Sequence, residues 1–307
     1  MIEDLLYELK GLWRENWPMF KANKLGIIGV VILLLFLFFA LFGPIYVETM
    51  GNSYSPMGGM DTSLGINPET NSYAWPPSLK HPMGTDSKGS DIFSQFLNGS
   101  YLAFLIGISI ALGAAILGVI MGLISGYWGG RWIDSLIMRS ADALVSIPFL
   151  PLLIVIAAVV GSLHLFTFIM IMMVFSWVGV CRVIRAQTLS LRTRPYIDSA
   201  RVAGASSSRI IFKHIAPNVI PLGFYELTMI VGAAIITESG ISFLGFGDPT
   251  QMSWGMMINF CTAQGHTFKA PWWLLPPGFG ITLLSMAFYL IGRAFDEIVN
   301  PRLRKME

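Results

Sequence analysis

Six long apolar runs, separated by polar stretches, organise this chain. The first, residues 25–42 (LGIIGVVILLLFLFFALF), is uncharged over 18 positions, about the length that crosses the hydrocarbon core of a bilayer. It is too long for the apolar part of a secretory signal, no small-residue cleavage site follows it, and Gly43-Pro44 is expected to end it. Further runs near 101–128, 136–160, 165–181, 217–239 and 272–292 predict five more spanning helices. The fold class read from this pattern is an all-α integral membrane protein with six transmembrane helices.

The polar stretches divide the rest. Residues 1–24 place Leu5, Leu6, Leu9, Leu12, Trp13, Trp17 and Phe20 near a helical repeat with Lys and Glu between, which predicts a short amphipathic helix in the inner interface. After a first span over 25–44, residues 45–97 form the main external segment, rich in Gly, Pro, Ser and Asn. Residues 98–297 hold the other five spans, with a second external loop near 240–271, and 298–307 form a tail.

Composition strengthens the membrane reading. The chain of 307 residues is 54% hydrophobic and 12% charged, where a soluble domain carries roughly 25% charged residues. The net charge of +2 says little, but its distribution says much. Of 20 Lys and Arg, 17 fall on one side of the predicted spans; Lys80, Lys88 and Lys269 fall on the other. The positive-inside rule then places the basic side, and both termini, in the cytoplasm of a multi-pass plasma-membrane protein. Cys181 and Cys261 lie on opposite sides, so no disulfide framework is expected.

Small residues stud two of the spans: Gly107, Gly113, Gly118 and Gly122 in the second, and Gly232, Ala233 and Ala234 in the fifth. They allow close helix approach in lipid. Pro148 and Pro151 in SIPFLPLLI are expected to kink the third span, since each removes a backbone hydrogen bond. Kinked, glycine-lined helices suit transport proteins and also occur in inert bundles.

The segment SARVAGASSSRIIFKHIAPN (199–218) is the most unusual stretch. Pro195 suits the first position of a helix with Thr193 as a cap nearby. Gly204 is placed to end that helix in the left-handed conformation. Ser206 or Ser207 is expected to cap a second short helix that stops at Pro217. Ala200, Ala203 and Gly204 would leave a face almost free of side chains, fit for docking into a groove; an ordinary capped loop reads equally well.

This stretch resembles the cytoplasmic loop of ABC importer permeases, in which an E-A-A triplet is followed at fixed distances by Gly and by I-x-L-P. Asp198-Ser199-Ala200 stand for the triplet, with Gly204 and Pro217 at the matching distances. HPMGTDSKGSDIFSQFLNGS (81–100), ESGISFLGFGDPT (238–250) with SWG (253–255), the final PWWLLPPGFGITLLSMAFYLIGRAFDEIVNPRLR and the early NKLGIIGVVIL are similar to stretches of the C-type subunit of dipeptide, oligopeptide and nickel permeases. The resemblance covers nearly the whole chain in order. Ser90, Tyr101 and Asn300 stand where that family usually has Arg, Arg and Asp.

The resemblance implies a type I ABC importer permease fold, with a coupling loop over 185–216. It implies a heterodimer with a second, homologous permease subunit, two ATP-binding subunits below that bind ATP and Mg, and an extracytoplasmic solute-binding protein above. The chain would not be an enzyme itself, and it would hold no cofactor. It has no Gly-Lys pair and therefore no P-loop. On this reading the helix near 196–204 is a coupling helix that moves with the ATPases. Ala200, Gly204 and Ala205 would form its contact centre, with Asp198 and Arg201 as polar contacts at the edge. The expected cargo is a di- or oligopeptide; oligosaccharide or nickel import would use the same architecture. An ion-coupled secondary transporter is the distant alternative, but no internal repeat supports it.

Three carboxylates fall in or near spans. Glu238 matches a family Glu near the outer end of the fifth span and reads as structural. Asp142 is close to Arg139, so it pairs there or lines the pathway. Glu226 either lines the pathway for a cationic substrate or hydrogen-bonds a neighbouring helix. GFGD (245–248) matches a motif of intramembrane aspartyl proteases, but Asp142, the only second Asp on offer, falls toward the opposite face. His81, His164, His214 and His266 have no metal-ligand spacing, and no nucleic-acid partner is expected.

Overall fold

The computed structural model describes residues 20–21, 23–51, 55–56 and 59–299. Most of the amphipathic segment predicted over 1–24, and the tail from residue 300, lie outside them. Among the described residues the chain is helical with no strand. Its helices are α1 (Lys24–Met50), α2 (Ile92–Tyr127), α3 (Trp132–Val145), α4 (Phe149–Val160), α5 (Leu165–Leu191), α6 (Pro195–Val202), α7 (Ser207–Phe243), α8 (Trp254–Ala263) and α9 (Pro271–Val299). Five of these are long and apolar enough to cross a bilayer alone: α1, α2, α5, α7 and α9. The sixth predicted span is the pair α3–α4, bent by 69° at a break over residues 146–148. Pro148 sits at the hinge as the residue preceding α4, and Pro151 lies in the first turn of α4, where its missing N–H costs nothing.

Two expected helix ends move. Gly43-Pro44 does not stop the first span: α1 runs on to Met50 with Pro44 inside it. Packing holds it there, because Gly43 lies against Leu97 and Tyr46 meets Phe93 edge-on, with ring centroids 5.1 Å apart. Pro217 does not end a short helix either. It lies inside α7, and a wide turn at Ile210–Ile215, where the Ala216 N–H reaches back to the Ile211 carbonyl, makes room for the ring.

Helix α2 is the axis of the bundle, and α5 packs along it through glycine. A Cβ on Gly118 would stand 2.5 Å from that of Val180, one on Gly122 2.7 Å from that of Ile184, and one on Gly126 2.5 Å from that of Thr188. These glycines recur every fourth residue, so one stripe of α2 lies flush on one stripe of α5. On the other side, α1, α7 and α9 surround α2 with a core built on Phe36, Phe96, Phe104, Val231, Trp254 and Phe288. Trp254, 2% exposed, is clamped between Gly99 and Gly280, and its indole N–H donates to the Phe96 carbonyl at 3.1 Å. The SWG stretch is therefore a packing device: the flat indole needs residues without side chains on both faces.

The segment between α1 and α2 is tied to the start of α2. His81 lies between two carboxylates, Nδ1 at 2.9 Å from Asp91 and Nε2 at 3.2 Å from Asp61, and Asp61 also pairs with Lys80 at 2.5 Å. Asp91 caps α2, accepting from the Ser94 N–H at 2.8 Å. Asp86 accepts from the Lys88 and Ser90 amides and from the Gln95 side chain; burial pushes its carboxyl up against those bonds. Lys80, with Ser63 and His81, holds Asp61 well below the usual carboxylate range. The HPMGTDSKGSD stretch thus forms one hydrogen-bonded knot, to which Ser90 contributes its backbone.

Candidate functional site

The polar segment after α5 folds as a helix and a turn on the basic side of the bundle. Pro195 opens α6, preceded by Arg194. Thr193 does not cap it; its hydroxyl donates to the Ser190 carbonyl at 3.1 Å instead. At the other end the Gly204 N–H bonds the Arg201 carbonyl and the Ala205 N–H bonds the Ala200 carbonyl, both at 3.0 Å. That is a complete Schellman motif, and it requires the left-handed φ of +82° that Gly204 adopts. Ser206 then caps α7, its hydroxyl accepting from the Arg209 N–H.

The motif turns Ala200 and Ala205 inward, which changes the expected docking face. Both are half-buried against a cluster of Ile197, Ile210, Ile211, Ile215 and Val219. Their small size fits packing inside the chain. The outward surface comprises Tyr196, Ser199, Val202, Ala203 and Gly204, with Val202 90% exposed. Asp198 and Arg201 pair at 2.8 Å on its edge. The isoleucine cluster joins α6 to the base of α7 and to Leu123 and Val180, so the exposed turn is packed directly against the spans.

A second cluster braces the same end. Asp134 on α3 receives two hydrogen bonds from Arg185 on α5, both 2.7 Å, one from Ser125 at 2.5 Å and one from the Gly130 amide at 2.8 Å. The carboxylate is 5% exposed, so this pair knots the α2–α3 elbow to α5. Sequence reading missed it; the signal available was two arginines, Arg182 and Arg185, at the end of an apolar run, each needing a carboxylate nearby. Arg185→Gln is expected to cost about 3–5 kcal/mol by leaving that carboxylate buried and unpaired. Thermal unfolding in detergent checks this, and adding Asp134→Asn should restore part of the loss.

Asp142 pairs with Arg182 at 2.6 Å rather than with Arg139, because the bend after α3 sets it beside α5; both side chains are exposed. Glu226 is half-buried on α7 within electrostatic reach of Asp296 on α9. Glu238 accepts from Ser242 at 2.6 Å and adjoins Ser239 and Ser253, the last being the cap of α8. Glu238, Ser242 and Ser253 line a void of about 20 Å³ with Leu102 and Phe168, room for about one water.

Asp248 of the GFGD stretch is a stitch between loops. It accepts from the Leu165 N–H and from Thr250, both amides at 2.9 Å. Burial works against its charge, yet these bonds and nearby His164 hold it below the usual carboxylate range. It caps the start of α5, whereas Asp142 meets Arg182 some 17 positions along that helix, about 25 Å away. Two carboxylates so far apart cannot share a proton, which removes the protease reading.

Residues 114–305 match the family described as the binding-protein-dependent transport system inner membrane component, and residues 11–67 match the N-terminal transmembrane domain of oligopeptide transport permease C. The chain belongs to this permease family. Among its relatives, the oligopeptide transport system permease protein OppC of Bacillus subtilis (strain 168) is 34% identical over 295 residues, 96% of this chain and 91% of the relative. The dipeptide transport system permease protein DppC of Alkalihalophilus pseudofirmus is 34% identical over 95% of this chain and 90% of its own length. DppC of Bacillus subtilis (strain 168) is 35% identical over 95% and 86%. The permease family also accounts for the multi-pass helical bundle.

Proposed function

We propose that this permease is the C-type subunit of an ATP-driven importer that receives di- or oligopeptides from an extracytoplasmic binding protein. It works beside a second permease subunit and above two ATP-hydrolysing subunits, which bind ATP and Mg. The permeases named above, two for dipeptides and one for oligopeptides, support the cargo class. One observation carries the mechanism: a helix and turn exposed at the tip, with Val202 outermost, but backed by a buried apolar cluster continuous with α2, α5 and α7.

On this reading α6 seats in an ATPase groove, Val202, Ala203 and Gly204 make the apolar contact, and Asp198 and Arg201 flank it. Ala200 and Ala205 shape the turn from behind. When the ATPases close, the turn is displaced as a unit, and α5 and α7 tilt with it between inward- and outward-open states. The broken pair α3–α4 supplies a hinge beside them. Glu226 lines the pathway, where a carboxylate favours cationic or amino-terminal groups of the cargo.

Thiol accessibility tests the orientation and the contact together. Native Cys181 and Cys261 are fully buried, so background labelling is low. A cysteine at Val202 should react with a membrane-impermeant maleimide only in inverted vesicles stripped of the ATPase subunits, and one at fully exposed Leu79 only in right-side-out cells. The Val202→Cys chain should also cross-link to an ATPase subunit. Labelling of Val202→Cys from outside would overturn the orientation.

A further inference from the structure

We propose that this permease holds the phosphate of an anionic phospholipid headgroup in a basic cavity between the α2–α3 elbow and the coupling turn. The inference rests on the orientation proposed above. The cavity, about 340 Å³, is walled by Arg131, Arg192 and Arg201, by the aromatic rings of Tyr127 and Trp128, and by the hydroxyl side chains of Thr193 and Ser207. No carboxylate lines it. Its size suits a glycerophosphate headgroup.

The walls are built before any ligand arrives. Arg192 donates from Nη1 to the Tyr127 carbonyl at 3.1 Å and to the Gly129 carbonyl at 3.2 Å, which fixes its guanidinium across the elbow. Arg201 lies over the Tyr127 ring, 6.0 Å from its centroid, and donates from Nη2 to the Arg192 carbonyl. Asp198 on its outer side offsets part of the Arg201 charge. Arg131 has no hydrogen bond from its guanidinium and no ion pair among the described residues, although its backbone N–H is tied to the Trp128 carbonyl at 2.9 Å. One free guanidinium and two partly engaged ones around a shared space form a forked donor set suited to phosphate.

The surroundings favour a lipid over a soluble anion. Arg131 directly precedes α3, whose next residue, Trp132, is 73% exposed, with Leu136 59% exposed one turn further. Apolar surface therefore starts at the cavity mouth, and Trp128 and Trp132 sit where indoles mark a headgroup layer. Basic pockets between spans on the cytoplasmic side recognise anionic lipids for this reason. A lipid there would also touch Arg201 and Ser207, on either side of the coupling turn.

The test uses the transporter extracted from membranes with its copurifying subunits, offered phosphatidylglycerol or phosphatidylcholine in mixed micelles. Retained lipid is read by native mass spectrometry. The wild type should keep phosphatidylglycerol over phosphatidylcholine, and Arg131→Gln should weaken that preference about five-fold. Arg139→Gln, an exposed arginine of α3 outside the cavity, should leave it intact. Equal retention of both lipids, an equal loss in Arg139→Gln, or retention of inorganic phosphate in place of lipid would overturn the proposal. So would lipid bound only after the ATPase subunits are stripped, which would assign the cavity to an acidic side chain of theirs. Thiol labelling of Val202→Cys on the same membranes separates a failed orientation from a failed lipid site.

Discussion

Gly122→Leu should leave no detectable folded permease. At Gly122 even a bare Cβ would lie 2.7 Å from the Cβ of Ile184 and 2.8 Å from the carbonyl oxygen of Cys181. Neither neighbour is the loose end of a side chain: one is a β-branched stem and the other is helix backbone. Gly118 and Gly126, one turn away on each side, are as tightly opposed. Relief would require α2 and α5 to part along the whole seam. In lipid that separation forfeits the close van der Waals contact that associates the helices. Overpacking by one methyl costs about 1–3 kcal/mol, which Gly122→Ala should show as a lowered melting temperature. A leucine should exceed the marginal stability of the fold. Gly179 on α5 has open space where its Cβ would go, so Gly179→Leu is the control that expresses normally. Size-exclusion profiles of detergent-extracted protein decide it, and a monodisperse Gly122→Leu peak at wild-type yield would refute the seam.

Val202→Arg should abolish transport while the bundle stays folded. Val202 is 90% exposed and supports nothing within this chain, so an arginine there costs little in stability. If the turn docks by its apolar tip, a charge at the centre of that contact should weaken coupling at least ten-fold, as for a truncated hot spot. Uptake of a labelled dipeptide by membranes containing the assembled transporter would be the assay, with melting temperature as the control for folding. Uptake within two-fold of wild type would move the contact elsewhere on the segment. Gly204 is the less clean probe, because any side chain there must adopt a left-handed backbone at roughly 1–2 kcal/mol.

Spans, their order and the basic side were legible in the sequence because burial in lipid imposes a one-dimensional rule: about 20 apolar residues per crossing. The helix-turn at 195–206 was legible for a local reason, since Pro195, Gly204 and Ser206 each act on their immediate neighbours. Which face of that helix points outward was not legible. Alanine is compatible with a docking face and with a packed interior, and only the isoleucine cluster beneath Ala200 and Ala205 separates the two. The helix ends expected at Pro44 and Pro217 failed for a related reason. Proline removes one hydrogen bond, and packing by Gly43 and Tyr46, or the wide turn before Ala216, outweighs that local loss.

Sequence alone determined that this chain is a multi-pass helical membrane protein with a small-residue turn between two spans, because hydropathy and turn chemistry act over short stretches. Tertiary structure decided which charges meet. Asp134 finds Arg185 across 51 positions, Asp142 finds Arg182 rather than its neighbour Arg139, and Arg131, Arg192 and Arg201 converge on one cavity. Those partnerships depend on how α2, α3 and α5 lie against one another. The glycine seam that sets this spacing is visible in sequence only as small residues, without the helix they meet.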